Sequence, residues 1–283
     1  MTRSALVIGN RNYKNINSLN NPINDARTIS DTLKLRGFNV NCHFDLDSEN
    51  FLKVINSFGD SLKDSNDLAV FYYAGHSLQL MDSNYLLPVD ISCDLSSHEN
   101  IERNAIYLGD ATKALNKTSS EKIIILDACR NHDFTKEIIA TNDIFNKGLC
   151  EIESSHEMAI IYSTQPGNTA SDGKTSSKNG CFTEELSKNL RKYNLTLNEI
   201  IINTREAVLT KTNYKQIPWS SNSLSKDISL DSIQFPGKIF HELQLPSNGI
   251  DAIACSNWNI FIGTENRLLF IFNKVSNLIP IYN

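Results

Sequence analysis

The sequence predicts an α/β fold built on a mainly parallel sheet. Three observations carry the prediction: apolar runs of strand length recur along the chain, amphipathic helical patterns lie between them, and Gly- or Asn-containing turns close them. The elements follow in order. Residues 4–8, Ser-Ala-Leu-Val-Ile, end at Gly9 and have the length of a buried strand. After an Asn-rich loop, Asn24-Asp25 opens a helix in which Ala26, Ile29, Leu33 and Leu35 recur at helical spacing until Gly37. Phe38 to Cys42 reads as a second strand. Asp47 or Ser48 then caps a helix carrying Phe51, Leu52, Ile55, Phe58 and Leu62 on one face. Leu68 to Tyr73 is a third strand, apolar throughout, and Tyr85 to Pro88 a short extended segment. Leu108 to Leu115 is helical, Lys122 to Leu126 a fourth strand and Met158 to Tyr162 a fifth, followed by helices at 182–190 and 197–209.

Two polar stretches, 130–150 and 164–181, interrupt this alternation, and loops of such length inside a compact domain are usually functional or mobile. Beyond Pro236-Gly237 the texture becomes all-β, with strands expected near 250–255, 259–263, 267–273 and 278–282, separated by Asn, Ser, Gly and Glu turns. A domain boundary is therefore placed at 236, giving units 1–236 and 237–283. The tail looks like one blade of a β-propeller, a unit that cannot bury both faces alone, which suggests that the chain continues and that the tail engages a protein partner.

Composition narrows the function classes. With 283 residues, 27 basic against 32 acidic side chains and a net charge of −5, the chain is no generally basic nucleic-acid binder. No run approaches the ~18 apolar residues of a membrane helix, and the start lacks a signal peptide's apolar core. Six scattered cysteines without a Cys-x-x-Cys pair suit reduced thiols, so a cytoplasmic location is expected and no structural metal. No Gly-rich phosphate loop follows the first strand, which disfavours a nucleotide-binding reading.

Open α/β sheets bind ligands at the carboxyl ends of their strands. The third strand runs into Ala74-Gly75-His76-Ser77 and the fourth into Asp127-Ala128-Cys129-Arg130-Asn131, with the Cys 53 residues after the His. A neighbouring imidazole can take the proton of a thiol whose ordinary pKa is ~8.5, producing the nucleophilic thiolate. This pair resembles the caspase-like cysteine peptidases, whose nucleophile lies in Gln-Ala-Cys-(Arg/Gln/Gly)-Gly with a His about 50 residues upstream. It is more narrowly similar to the metacaspase, orthocaspase and paracaspase relatives. Residues 5–10, Tyr13, 19–26, 85–90, 162–167, Phe182-Thr183, 216–219 and Ser223-Leu224 extend the resemblance over roughly residues 4–230.

The resemblance implies a caspase-like α/β/α sandwich with a large-subunit part at about 1–150 and a small-subunit part at about 151–236. It implies a cysteine endopeptidase with His76 as base and Cys129 as nucleophile. The backbone N–H groups of Gly75 and Cys129 are the candidate oxyanion donors; such donors contribute ~2.7–4 kcal/mol each where measured. No third catalytic side chain is evident, and a backbone carbonyl could hold the His instead. Asp127 stands where caspases have Gln and, with Asp25, matches acidic S1 residues; Asp172 is a third candidate. Paired carboxylates favour a cationic P1 side chain, so the substrate is a protein or peptide with Arg or Lys at P1. Asp25 could equally serve a helix N-terminus, Asp127 a loop cap and Asp172 an Asp-Gly turn. Some metacaspases bind calcium through carboxylates, for which Asp90, Asp94 and Asp133 are the candidates here, without an EF-hand loop; no cofactor is otherwise implied. Lys136, Lys147, Lys174 and Lys178 in the polar stretches are candidate self-processing sites. The rival reading is a catalytically silent caspase-like interaction module.

Overall fold

A computed structural model of the chain describes residues 3–63, 65, 67–95, 97–129, 149, 156–165 and 178–231, together with four strands between 250 and 280. The chain divides into two compact units, 1–233 and 234–283. In the first unit the strands are β1 (Arg3–Gly9), β2 (Asn39–Phe44), β3 (Leu68–Leu80), β4 (Ser83–Leu86), β5 (Ile106–Tyr107), β6 (Lys122–Cys129), β7 (Met158–Tyr162) and β8 (Trp219–Asn222). The described helices are α1 (Pro22–Leu35), α2 (Ser48–Ser61), α3 (His98–Asn104), α4 (Leu108–Leu115), α5 (Cys181–Leu190) and α6 (Leu197–Lys211).

The sheet order is β2-β1-β3-β6-β7-β8, parallel except for β8, with β4 and β5 continuing antiparallel from the far end of β3. This is the α/β sandwich that the sequence predicts. Strand residues alternate between two cores. Ala5, Val7, Val70, Tyr72, Ile123 and Ile125 pack with residues of α1, α5 and α6. Leu6, Ile8, Phe71, Tyr73, Ile124 and Leu126 pack with those of α2 and α4 on the other face. Gly9 ends β1 because α1 passes too close for a side chain: a Cβ there would lie 2.5 Å from the Pro22 carbonyl oxygen. Strands β2 and β3 flank β1 on opposite sides, so the crevice at the carboxyl ends of β1 and β3 is a topological switch point, where such folds place ligands.

Several sequence expectations are corrected in detail. The helix α1 begins at Pro22, whose missing N–H costs nothing in a first turn, rather than at Asn24. Leu35, two positions beyond Leu33, turns off the buried face and is 66% exposed, and Leu52 is 38% exposed. Strand β3 runs seven residues past Tyr73, and α3, β5 and β8 are too short to show a period. In the second unit β9 (Ile250–Cys255), β10 (Asn259–Thr264), β11 (Leu269–Asn273) and β12 (Ile279–Pro280) form an antiparallel sheet of consecutive neighbours. Among the described residues no helix is long and apolar enough to cross a membrane.

Candidate active site

The β3–β6 ladder decides where the His and the Cys meet. Ala74 pairs with Asp127, Gly75 with Ala128 and His76 with Cys129. Adjacent strands lie about 4.8 Å apart, so His76 and Cys129 are lateral neighbours at the carboxyl end of the sheet. Beyond this pair β3 leaves β6 and turns to β4, from Ser77 opposite Leu86.

The environment of His76 is built by the loop that follows β1. His76 is 2% exposed. Its Nε2 lies 2.8 Å from the Asn17 carbonyl oxygen, and its backbone N–H donates to the Tyr13 hydroxyl at 2.7 Å. The Tyr13 ring sits 4.6 Å from the imidazole, tilted by 54°. The His76 carbonyl accepts from Tyr73 Oη at 2.7 Å and from the Leu87 N–H at 3.0 Å. Gly75 fits only as glycine, since a Cβ would lie 2.5 Å from Tyr73 Oη and 2.7 Å from Tyr13 Oη.

The loop is itself held at several points. Asp45 accepts the N–H groups of Arg11 and Asn12 at 2.8 and 2.9 Å, and Asn12 Nδ2 at 2.6 Å. The Lys14 N–H donates to the Val89 carbonyl and Asn15 Nδ2 to that of Ile91. Asn10 is fully buried and bridges the Leu87 carbonyl and the Leu46 N–H. Asn17 is therefore presented by an anchored strap. Because a carbonyl oxygen only accepts, the bond places the imidazole proton on Nε2 and leaves Nδ1 as the basic nitrogen. That arrangement can accept a proton from a thiol and return it to a leaving amine.

The two described acidic candidates converge on the start of α5. Asp25, on α1, is 3% exposed, and its Oδ1 accepts from Asn179 Nδ2 at 2.8 Å and from the Gly180 N–H at 2.9 Å. Asp127 is 7% exposed and accepts from Thr183 Oγ1 at 2.6 Å. Alternation explains the meeting, because Asp127 shares its sheet face with Ile123 and Ile125, the face covered by α1 and α5. Asp25 also occupies the first turn of α1, so its alternative role at a helix N-terminus coexists with the contact to α5.

Other expectations are placed differently. Asp90 accepts from the Ser48 N–H and Oγ at the start of α2, and Asp94 accepts from Asn100 Nδ2. Among the described residues no three His, Cys, Asp or Glu side chains cluster as a metal site. Asp133, Asp172, Lys136, Lys147 and Lys174 lie outside the described residues, while Lys178 is exposed. Burial pushes the thiol of Cys181 up; Lys211 opposes the shift and Glu185, Glu184 and Asp127 add to it. Burial likewise raises Cys42. Both stay protonated and are poor nucleophiles at neutral pH. Sequence reasoning missed Asn17 and the part that Tyr13 plays. An Asn-rich loop is a faint signal, and a carbonyl carries no residue identity.

The family model described as Caspase domain matches residues 2–229. The chain belongs to the caspase-domain family. This caspase domain is 26% identical over 236 residues to mucosa-associated lymphoid tissue lymphoma translocation protein 1 of Homo sapiens, covering 81% of the chain and 27% of that protein. The homolog from Mus musculus is 24% identical over 212 residues, covering 73% of the chain and 24% of the mouse protein. The chain thus spans about a quarter of the length of the curated relatives it matches. The family is one of cysteine peptidases, and this chain carries its fold.

Proposed function

We propose that this caspase domain is an active cysteine endopeptidase that cleaves after Arg or Lys, with Cys129 as nucleophile and His76 as general base. The observation that carries the reading is the pairing of His76 with Cys129 at adjacent strand ends, with His76 Nε2 on the Asn17 carbonyl. In the first step His76 Nδ1 takes the thiol proton and the thiolate attacks the scissile carbonyl. Asn17 then accepts from an imidazolium, whose charge strengthens that hydrogen bond. The backbone N–H groups of Gly75 and Cys129 serve the oxyanion. His76 returns the proton to the leaving amine, and water, activated by the same nitrogen, hydrolyses the acyl-enzyme.

Asp25 and Asp127 form the S1 pocket in this reading, with Asp172 as a further member. Asn179, Gly180 and Thr183 donate to them at 2.6–2.9 Å, and a P1 guanidinium or ammonium brings the charge that complements two carboxylates. By analogy with caspases, the activity is assigned to a regulated defence, death or signalling role. The 237–283 unit is assigned as a partner-binding β module; four-stranded antiparallel sheets are the units of propellers.

The test is turnover of fluorogenic peptides with Arg, Lys, Asp or Ala at P1. Wild type cleaves the Arg and Lys peptides; Cys129→Ala and His76→Ala abolish turnover with unchanged circular dichroism. Asp127→Asn lowers kcat/KM on Arg peptides by about tenfold or more. Activity retained in Cys129→Ala, or a preference for Asp at P1, overturns the reading. A folded wild type inert on every peptide supports the silent interaction module.

A further inference from the structure

Tyr72, Thr183 and Asp127 form a buried hydrogen-bonded chain across β3, α5 and β6. Thr183 Oγ1 lies 2.6 Å from Asp127 Oδ2 and 2.6 Å from Tyr72 Oη, and both Thr183 and Tyr72 are fully buried. Its direction follows from the groups themselves. Thr183 Oγ1 donates to Asp127, whose carboxylate is ionised in the S1 reading and then only accepts, so the single hydroxyl proton of Thr183 points at Asp127. Thr183 must then accept from the Tyr72 hydroxyl.

Such a bond to an ionised acceptor is among the stronger kinds, and it acts on a soft coordinate. The carboxylate plane of an Asp turns about an sp³–sp² torsion with broad minima, and a fixed donor on one oxygen holds it. Plane orientation matters unequally to the two basic side chains. A guanidinium is planar and engages a carboxylate with two parallel N–H groups, whereas an ammonium is a compact charge indifferent to the plane.

We propose that Thr183, itself oriented by Tyr72, is a specificity-positioning residue that holds the Asp127 carboxylate in the plane that favours Arg over Lys at P1. The proposal rests on the reading of Asp127 as an S1 acid. Thr183 is fully buried behind Asp127 and acts only through that carboxylate.

The experiment compares Thr183→Val, Thr183→Ser and Tyr72→Phe in the full chain on peptide pairs that differ only in P1 Arg or Lys. Agmatine serves as a competing guanidinium probe. For Thr183→Val, KM on the Arg peptide rises roughly tenfold while kcat stays within about twofold. Its Lys KM rises less, so the Arg-to-Lys ratio of kcat/KM falls by roughly fivefold, and agmatine inhibition weakens in parallel. Thr183→Ser keeps the hydroxyl and the wild-type ratio, and Tyr72→Phe falls between. Equal losses on Arg and Lys, or a wild-type ratio in Thr183→Val, overturn the proposal. If Thr183→Val does not fold, a wild-type ratio in Tyr72→Phe overturns it instead. Failure of the underlying S1 reading has a different signature: the wild type shows no preference for basic P1, or Asp127→Asn leaves Arg cleavage unchanged.

Discussion

Tyr13 shows how one side chain can set the position of a reactive neighbour. Its hydroxyl takes the His76 N–H at 2.7 Å, its ring lies against the imidazole, and the strap that carries it also presents the Asn17 carbonyl. Tyr13→Phe keeps the ring and removes that acceptor from a buried N–H, a loss of about 1–3 kcal/mol. For a domain of this size a loss of that order lowers Tm by several degrees, since each kcal/mol shifts it by about 2–4 °C. The expected kinetic result is a lower kcat with KM nearly unchanged, because the substrate pocket lies elsewhere. A variant with wild-type kcat and an unshifted melt would show that Tyr13 does not position His76. Little of this was legible in the residues. Tyr13 is a single aromatic in a polar loop, and its role depends on where β3 passes.

At the scale of elements, two arginines join the ends of the first unit. Arg36, the residue after α1, is fully buried. Its guanidinium pairs with Asp231, donates to the carbonyls of Leu190 and Lys192, and lies 4.6 Å from the Tyr193 ring centroid. Arg3 on β1 donates to the carbonyls of Leu230 and Asp231. Asp231 also accepts the Asn194 N–H at 2.8 Å. The end of α1, the α5–α6 connection and the last described residues of the unit are thus pinned together, although they lie far apart in sequence. Breaking one side of a buried pair leaves a charge without compensation, so Arg36→Met should cost about 3–5 kcal/mol in urea unfolding. Arg36→Met with Asp231→Leu should recover part of it, because no unpaired charge is then buried, while the Leu190 and Lys192 carbonyls and the Asn194 N–H still lose their partners. Equal losses in the single and double variants would show that the Arg36–Asp231 charge pair itself contributes nothing to the clamp. The helices themselves follow from local signals. Asp47 caps α2, and Thr196 with Glu199 forms a capping box at α6.

Across the 283 residues a caspase domain is followed by a short β unit. The family match ends at 229 and the first compact unit at 233, so a chain ending at 236 keeps every element of the catalytic proposal. That truncation should retain a single cooperative melt and the full-length kcat/KM on an Arg peptide. Loss of either would make the β unit part of the peptidase core rather than a separate module.

The residues alone marked the five long parallel strands, their apolar alternation and the two chemistry-bearing strand ends, Gly75-His76 and Asp127-Ala128-Cys129. These are local properties, written in period and in residue type, and they were enough to name a family. The tertiary structure alone decided the register that sets His76 beside Cys129, and the shared sheet face that turns Asp127 toward α5. It also decided that a carbonyl from Asn17 holds the imidazole and that Thr183 and Tyr72 hold the carboxylate. The physical reason is common to all four. A lateral register, a backbone oxygen and a hydroxyl from a distant helix gain their roles only from pairing between remote segments, and no local pattern encodes which segments will pair.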